Sequence, residues 1–179
     1  LPKALALARA LKKRGYRVVI AEPFKWHVSR ASTAVDAAYE LPPPNENPAL
    51  YRDTLLALIE HESVDLLVPV SEEAHHVLPI GPLLGEDVEL IGPSHSLYEI
   101  LSHKLHFIEC AASAGLRVPR TYAAHTEEAD QLASDMPHIK KPSRGCSGMG
   151  VSWCEPGTRH NKESSEFVIQ ERIDGTCIS

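Results

Sequence analysis

The stretch Lys141-Pro142-Ser143-Arg144-Gly145-Cys146-Ser147-Gly148-Met149-Gly150-Val151 holds the residue types that polyphosphate binding needs. A lysine stands where a short apolar run gives way to a loop, and three glycines and two serines lie between Ser143 and Gly150. Glycines leave backbone N–H groups open to a bulky anion. The lysine adds a compact charge for phosphate oxygens. The same stretch also reads as a flexible hairpin turn. Cys146 reads as a small filler rather than a nucleophile. Ten histidines are scattered. His75-His76 are neighbours that would diverge on a helix, and His103 and His106 could share a helix face. Without a third ligand they read as surface or cleft residues. Cys110, Cys146, Cys154 and Cys177 form no CxxC pair, so no zinc site and no disulfide framework is read, and no metal ligand is assigned.

These residues need a scaffold. Residues 2–14 predict a helix with Leu5, Ala8 and Leu11 on one face, Lys12-Lys13-Arg14 near its end and Gly15 just beyond. Val18-Val19-Ile20, within a strand over 17–21, reads as buried on both faces. Glu22 to Pro48 is loop-rich. Ala49 to Glu62 is helical, with Leu50, Leu55, Leu58 and Ile59 apolar. Val64 to Val70 is a second buried strand, a helix from Ala74 to Ile80 follows Ser71-Glu72-Glu73, and Val88 to Ile91 is a third strand. Helix–strand alternation of this kind implies a parallel sheet with helices on both faces. Glu72, at the end of a strand, stands where such sheets place ligands and where an acidic residue favours a helix start. Ser32, in Ser29-Arg30-Ala31-Ser32, is a similar candidate.

The texture changes near Gly92-Pro93. Ser96 is placed to cap a helix of some twenty residues ending at Gly115. Strands are expected over 118–123, 136–141, 151–154 and 167–173, with a short helix from Glu127 to Ser134. Helix and strand at the chain start suggest the second half of a βαβ unit, so the expected first strand would precede Leu1 and the chain reads as a fragment. A net charge of −6 argues against a general nucleic-acid binder. No apolar run has the length of a membrane span and no signal-peptide pattern stands out. Together with the dispersed cysteines this suggests a reducing cytoplasm. A homodimer is left open.

Four features in order carry a resemblance: the lysine-bearing Ser102-His103-Lys104-Leu105-His106-Phe107; Ala114-Gly115-Leu116-Arg117-Val118-Pro119-Arg120-Thr121; the Lys-Pro glycine loop; and Val168-Ile169-Gln170-Glu171-Arg172-Ile173-Asp174-Gly175. This order resembles the ATP-grasp superfamily of ATP-dependent ligases. The front of the chain, with Ser29 to Ser32 and the run from Val64 to Glu73, resembles the pre-domain of carbamoyl-phosphate-synthase-like stand-alone ligases.

The resemblance implies an α/β chain: a Rossmann-like pre-ATP-grasp domain over 1–95 and an incomplete α+β ATP-grasp domain over 96–179, truncated after its inter-lobe hinge. It implies that Lys104 and Lys141 reach ATP phosphates. Ser143, Gly145, Cys146, Ser147, Gly148 and Gly150 match the loop over them. Gln170, Glu171, Arg172 and Ile173 match the hinge that meets adenine. Alone, Lys104 would read as a solvated helix lysine. Glu171 and Arg172 would read as an exposed pair, and Val168, Ile169 and Ile173 as core. Cys177 stands where a ribose-binding glutamate is usual, Glu155 to Glu166 is shorter than the helix-bearing insertion expected there, and magnesium ligands are expected in an absent C-terminal lobe. The implied activity joins a small carboxylate to an amine or related nucleophile through an acyl phosphate. Glu72 and Ser32 are candidate substrate contacts. Two rival readings are a catalytically incomplete nucleotide- or partner-binding module of the same ancestry and a dinucleotide-binding oxidoreductase, the latter lacking a GxGxxG motif.

Overall fold

The computed structural model describes residues 2–145, 148–160 and 166–175. The chain divides into two units, Leu1–His95 and Ser96–Ser179.

In the first unit, α1 (Pro2–Lys13) carries Lys12 and Lys13 in its last turn, where they complement the helix dipole. Gly15 follows at φ +87° and turns the chain into β1 (Val19–Glu22). β1 pairs in parallel with β2 (Ala37–Glu40), Val19 opposite Ala37. β2 lies within the stretch expected to be loop, because four residues among turn formers carry little periodicity. α2 (Pro48–Glu62) begins at Asn47, whose side chain accepts from the Leu50 N–H at 3.0 Å, with Pro48 in the first helical position. Tyr51, Leu55 and Ile59, at i, i+4 and i+8, give the buried stripe that packs with Leu41, Val77 and Ile80. Leu50 falls off that stripe and is exposed. At the far end of α2, Glu62 accepts from the Tyr39 hydroxyl and the Arg17 guanidinium.

Two further expectations change in this unit. β3 (Leu66–Leu67) and β4 (Glu89–Leu90) pair in parallel, but the described residues form two separate two-stranded ladders instead of one sheet, and β1 is half-buried instead of buried on both faces. The helix after Ser71 is short. α3 (Ala74–Val77) passes into a 3-10 segment over Leu78–Leu83, because Pro79 and Pro82 lack the N–H groups that α-helical bonding requires.

The second unit holds a four-stranded antiparallel sheet in the order β5 (Thr121–Ala123), β8 (Phe167–Glu171), β6 (His138–Pro142), β7 (Ser152–Cys154). α6 (Glu127–Asp135) starts at Thr126, whose hydroxyl accepts from the Ala129 N–H at 3.3 Å, and has Glu127, Glu128 and Asp130 in its first turn. Its Ala129, Leu132 and Ala133 pack on Ala124 and the fully buried Ile169. The expected twenty-residue helix is two helices, α4 (His95–Ser102) and α5 (Lys104–Ser113), interrupted at His103, which has extended backbone (φ −89°, ψ 114°). Ser96 lies inside α4 and does not cap it. The interruption has a long-range cause: the Lys104 N–H bonds to the Ser143 carbonyl at 2.8 Å instead of continuing the helix.

Candidate functional site

Alternation along the strands sorts the second sheet into two faces. Lys141 lies opposite Val168, and Ile139 and Thr121 both lie opposite Gln170. Lys141, Ile139, Gln170, Val168 and Thr121 therefore share one face. His138, Lys140, Ile169, Glu171, Tyr122 and Cys154 share the other, which α6 covers through Ile169.

On the first face Lys141 Nζ donates to Gln170 Oε1 at 2.7 Å. An ammonium has only donors, so the Gln170 amide must turn its oxygen to the lysine and its nitrogen away. Gln170 Nε2 donates to Thr121 Oγ1 at 2.7 Å, and that hydroxyl donates to the Pro119 carbonyl at 2.9 Å. A chain of oriented bonds thus fixes the lysine. Gln170 is buried, and burial, followed by the nearby Lys104 charge, holds the Lys141 ammonium below the usual lysine range.

Lys104 reaches the same place from α5. Its backbone is tied to Ser143, and its Nζ donates to the Gly145 carbonyl at 2.9 Å. The buried Ser143 donates its N–H to the Glu166 carbonyl at 2.6 Å. Arg144 clasps α4, donating to Ser102 Oγ at 3.1 Å and to Glu99 Oε2 at 2.8 Å. The foot of the glycine loop is therefore built against both helices. Gly145, Gly148 and Gly150 have φ values of +98°, +73° and +71°. A Cβ on Gly150 would also stand 2.8 Å from Pro142 Cγ, so that position needs glycine for conformation and for space. Cys146 and Ser147, also assigned to the loop, and Cys177 lie outside the described residues.

The hinge residues divide between the faces. Gln170 faces the lysines. Glu171 turns to Arg120, accepting from its N–H at 3.0 Å and its Nε at 2.7 Å. That guanidinium bond, with the backbone bond second, holds the Glu171 carboxyl below the usual carboxylate range. Glu171 is thus not the plain exposed half of a pair with Arg172. Arg172 bonds Asp174 at 3.1 Å and lies 3.6 Å from Glu155. Ile173, read as core, is 67% exposed, because β8 ends at Glu171 and the last backbone bond along this edge is from the Arg172 N–H to the Pro137 carbonyl at 3.2 Å, among the described residues. In the first unit, Ser32 Oγ accepts from the Ala34 N–H at 3.2 Å. Glu72 is exposed, and the carboxylate that gathers backbone amides at this turn is that of Glu73, which accepts from Val70 and Ser71 at 2.8 and 3.0 Å.

Sequence reasoning missed Thr121, Arg144 and Glu99, since each is placed by register or by a contact more than forty residues away. It also missed a second cluster. His138, Cys154 and His160 bring their ring nitrogens and sulfur within 4.8 Å of one another on the α6 face. A cavity of about 190 Å³ on that face is lined by Arg120, Tyr122, Gln131, Leu132 and Met136 and contains none of the lysine or loop residues.

The chain is of the mixed α/β class, and its second unit brings Lys104 and Lys141 to the ends of a glycine-bearing strand connection. Residues 101–179 match the model of the ATP-grasp domain family. The chain is 26% identical over 175 residues to the carbamoyl phosphate synthase large chain of Pseudomonas syringae pv. tomato, covering 93% of this chain and 15% of that one. Its fold is similar to the biotin carboxylase domain dimer of Hydrogenobacter thermophilus 2-oxoglutarate carboxylase, in complex with MgADP, ADP and bicarbonate (TM-score 0.71, 18% identity, 96% of this chain and 42% of that one). It is similar also to an L-amino acid ligase of Bacillus licheniformis (TM-score 0.70, 20% identity, 97% and 42%). A third similar structure is the N5-carboxyaminoimidazole ribonucleotide synthetase of Thermotoga maritima (TM-score 0.64, 19% identity, 97% and 44%). The chain thus spans less than half the length of each of these relatives. Among the described residues no helix is long and apolar enough to cross a membrane.

Proposed function

We propose that this chain supplies one wall of the nucleotide site of an ATP-dependent carboxylate ligase, with 1–95 as a Rossmann-like pre-domain and 96–179 as the first part of the grasp domain. One observation carries the reading: Lys104, whose Nζ donates to the Gly145 carbonyl, and Lys141, on the strand that leads into the same loop, lie thirty-seven positions apart in sequence, and after burial the Lys104 charge helps to hold the Lys141 ammonium below the usual lysine range. Two like charges brought together, one of them half-buried, call for a polyanion.

The residues fit ATP in other respects. Gly145 and Gly148 have open space where a side chain would stand. His103, next to Lys104, has a buried Nδ1 without a hydrogen-bond partner. Exposed Ile173, just past the end of β8, offers an apolar side chain to an adenine ring. When bound, ATP would supply the phosphoryl group that activates a carboxylate as an acyl phosphate for attack by an amine or related nucleophile. The chain's own part is electrostatic and positional. Lys104 and Lys141 neutralise phosphate oxygens, Gln170 and Thr121 hold Lys141 at its angle, and the loop limits access of water. Magnesium, carried by one of the similar structures as MgADP, is assigned no ligand in this chain.

The test is calorimetric titration of the chain with MgATP, MgADP and NAD. ATP and ADP should bind and NAD should not. Lys104→Ala and Lys141→Ala should each weaken ATP by roughly ten- to a hundredfold, the equivalent of about 1.5–3 kcal/mol for a charge-assisted bond. Unchanged affinity in both variants would remove the lysines from the site. In a longer form of the protein, binding without turnover would identify a nucleotide-binding module instead of a ligase.

A further inference from the structure

We propose that His138, Cys154 and His160 form a binding site for a divalent transition-metal ion of borderline softness, zinc(II) foremost, on the face of the sheet that α6 covers. The site does not depend on the nucleotide reading, since strand alternation puts its residues on the opposite side from Lys141 and Gln170.

Backbone register builds most of it. His138 and Cys154 are directly opposite in the β6–β7 ladder, so their Cβ atoms are side by side on one face. His160 comes from the loop after β7. That loop is fastened to α6 by the Gly157 N–H on the Ala133 carbonyl at 2.9 Å and folded on itself by the Thr158 hydroxyl on the Glu155 carbonyl at 2.7 Å. The three donor atoms lie within 4.8 Å of one another, and the two imidazole Nε2 atoms are 2.6 Å apart.

The protonation of His138 follows from its partner. Its Nδ1 is 3.0 Å from the Met136 carbonyl, which can only accept, so Nδ1 carries the proton and Nε2 presents a lone pair toward His160. A histidine whose far nitrogen is pinned by a carbonyl is the usual arrangement of a metal ligand. The ring is fully buried, so this lone pair cannot be satisfied by bulk water. A proton on His160 would satisfy that one lone pair and leave the thiol only its weak bond to the Ser152 carbonyl at 3.8 Å. A metal ion uses all three donors. Zinc bonds of about 2.0–2.1 Å to nitrogen and about 2.3 Å to sulfur place tetrahedral donors roughly 3.3–3.6 Å apart, so the two nitrogens would part by less than about 1 Å. Two imidazoles and a thiolate are the donors that zinc, cobalt(II) and copper prefer, and a fourth position is left for solvent. The ion would clamp β6, which carries Lys141 on its other face, to β7 and the following loop.

The test uses the whole chain with cobalt(II) and zinc(II) as probes. Cobalt should bind at one ion per chain with a thiolate-to-cobalt charge-transfer band and the visible bands of a tetrahedral site, and zinc should displace it. Cys154→Ser should abolish the charge-transfer band, and His160→Gln should weaken binding by at least about tenfold. Cys110→Ser, altering an exposed thiol on α5, should change neither. Zinc should also raise the melting temperature of the parent and not of Cys154→Ser. A charge-transfer band that survives Cys154→Ser, the absence of any such band in the parent, or an equal thermal shift in both proteins would overturn the site.

Discussion

Lys141 shows how one side chain can be tuned by its surroundings. Burial and the Lys104 charge both disfavour its protonated form, while a polyphosphate would favour it. Nucleotide binding should therefore be coupled to proton uptake at alkaline pH. The sign follows from the direction of the shift. Below the lowered pKa of the free protein the ammonium is already present and no proton is taken up. Between that value and the higher pKa in the complex, binding draws a proton, and affinity falls as pH rises. Titrations in two buffers of different ionisation enthalpy should report this uptake, and Lys141→Met should lose it. An identical heat difference between buffers in the variant would place the titrating group elsewhere. Residue identity alone pointed to Lys141 and the glycines. It was silent on Thr121 and on the orientation of the Gln170 amide, because these depend on which residue lies opposite which across β5 and β8.

The elements explain what was and was not legible in the sequence. α1 was readable because an apolar stripe ends at Gly15, and α2 because Leu55, Leu58 and Ile59 recur along it; the capping roles of Asn47 and Thr126 emerge only in the structure. The break between α4 and α5 was not readable, since the periodicity runs through it and the cause is a bond to Ser143, thirty-nine residues beyond Lys104. The loop is the element whose behaviour can be forecast. Gly150→Ala meets both a positive φ and Pro142, whereas Gly145→Ala meets a positive φ with open space around it. Each should cost about 1–3 kcal/mol from backbone conformation, with Gly150→Ala the worse by its clash. Thermal denaturation ranks the two. A Gly145→Ala protein less stable than Gly150→Ala would show that the contact with Pro142 is not what fixes this turn.

Across the whole molecule, each unit has its own apolar centre: Leu41, Tyr51, Leu55, Ile59, Val77 and Ile80 in the first, and Ala124, Ala129, Leu132, Ala133 and Ile169 in the second. Ile169→Ala should cost about 2–5 kcal/mol, as buried aliphatic truncations do. Amide exchange should quicken over 121–171 and stay slow in β1 and α2. Uniform acceleration along the chain would mean that the two centres unfold as one. β8 is the part on which both faces of the second unit depend. Its even-numbered members serve the lysines, and its odd-numbered members serve Arg120 and α6. A point substitution there alters one contact, whereas losing a single residue between 167 and 170 would move the later ones back by one place, presenting the Glu171 carboxylate to Lys141 and the Arg172 guanidinium to Arg120. Among descendants of this sequence, that strand should vary in letters and hold constant in length.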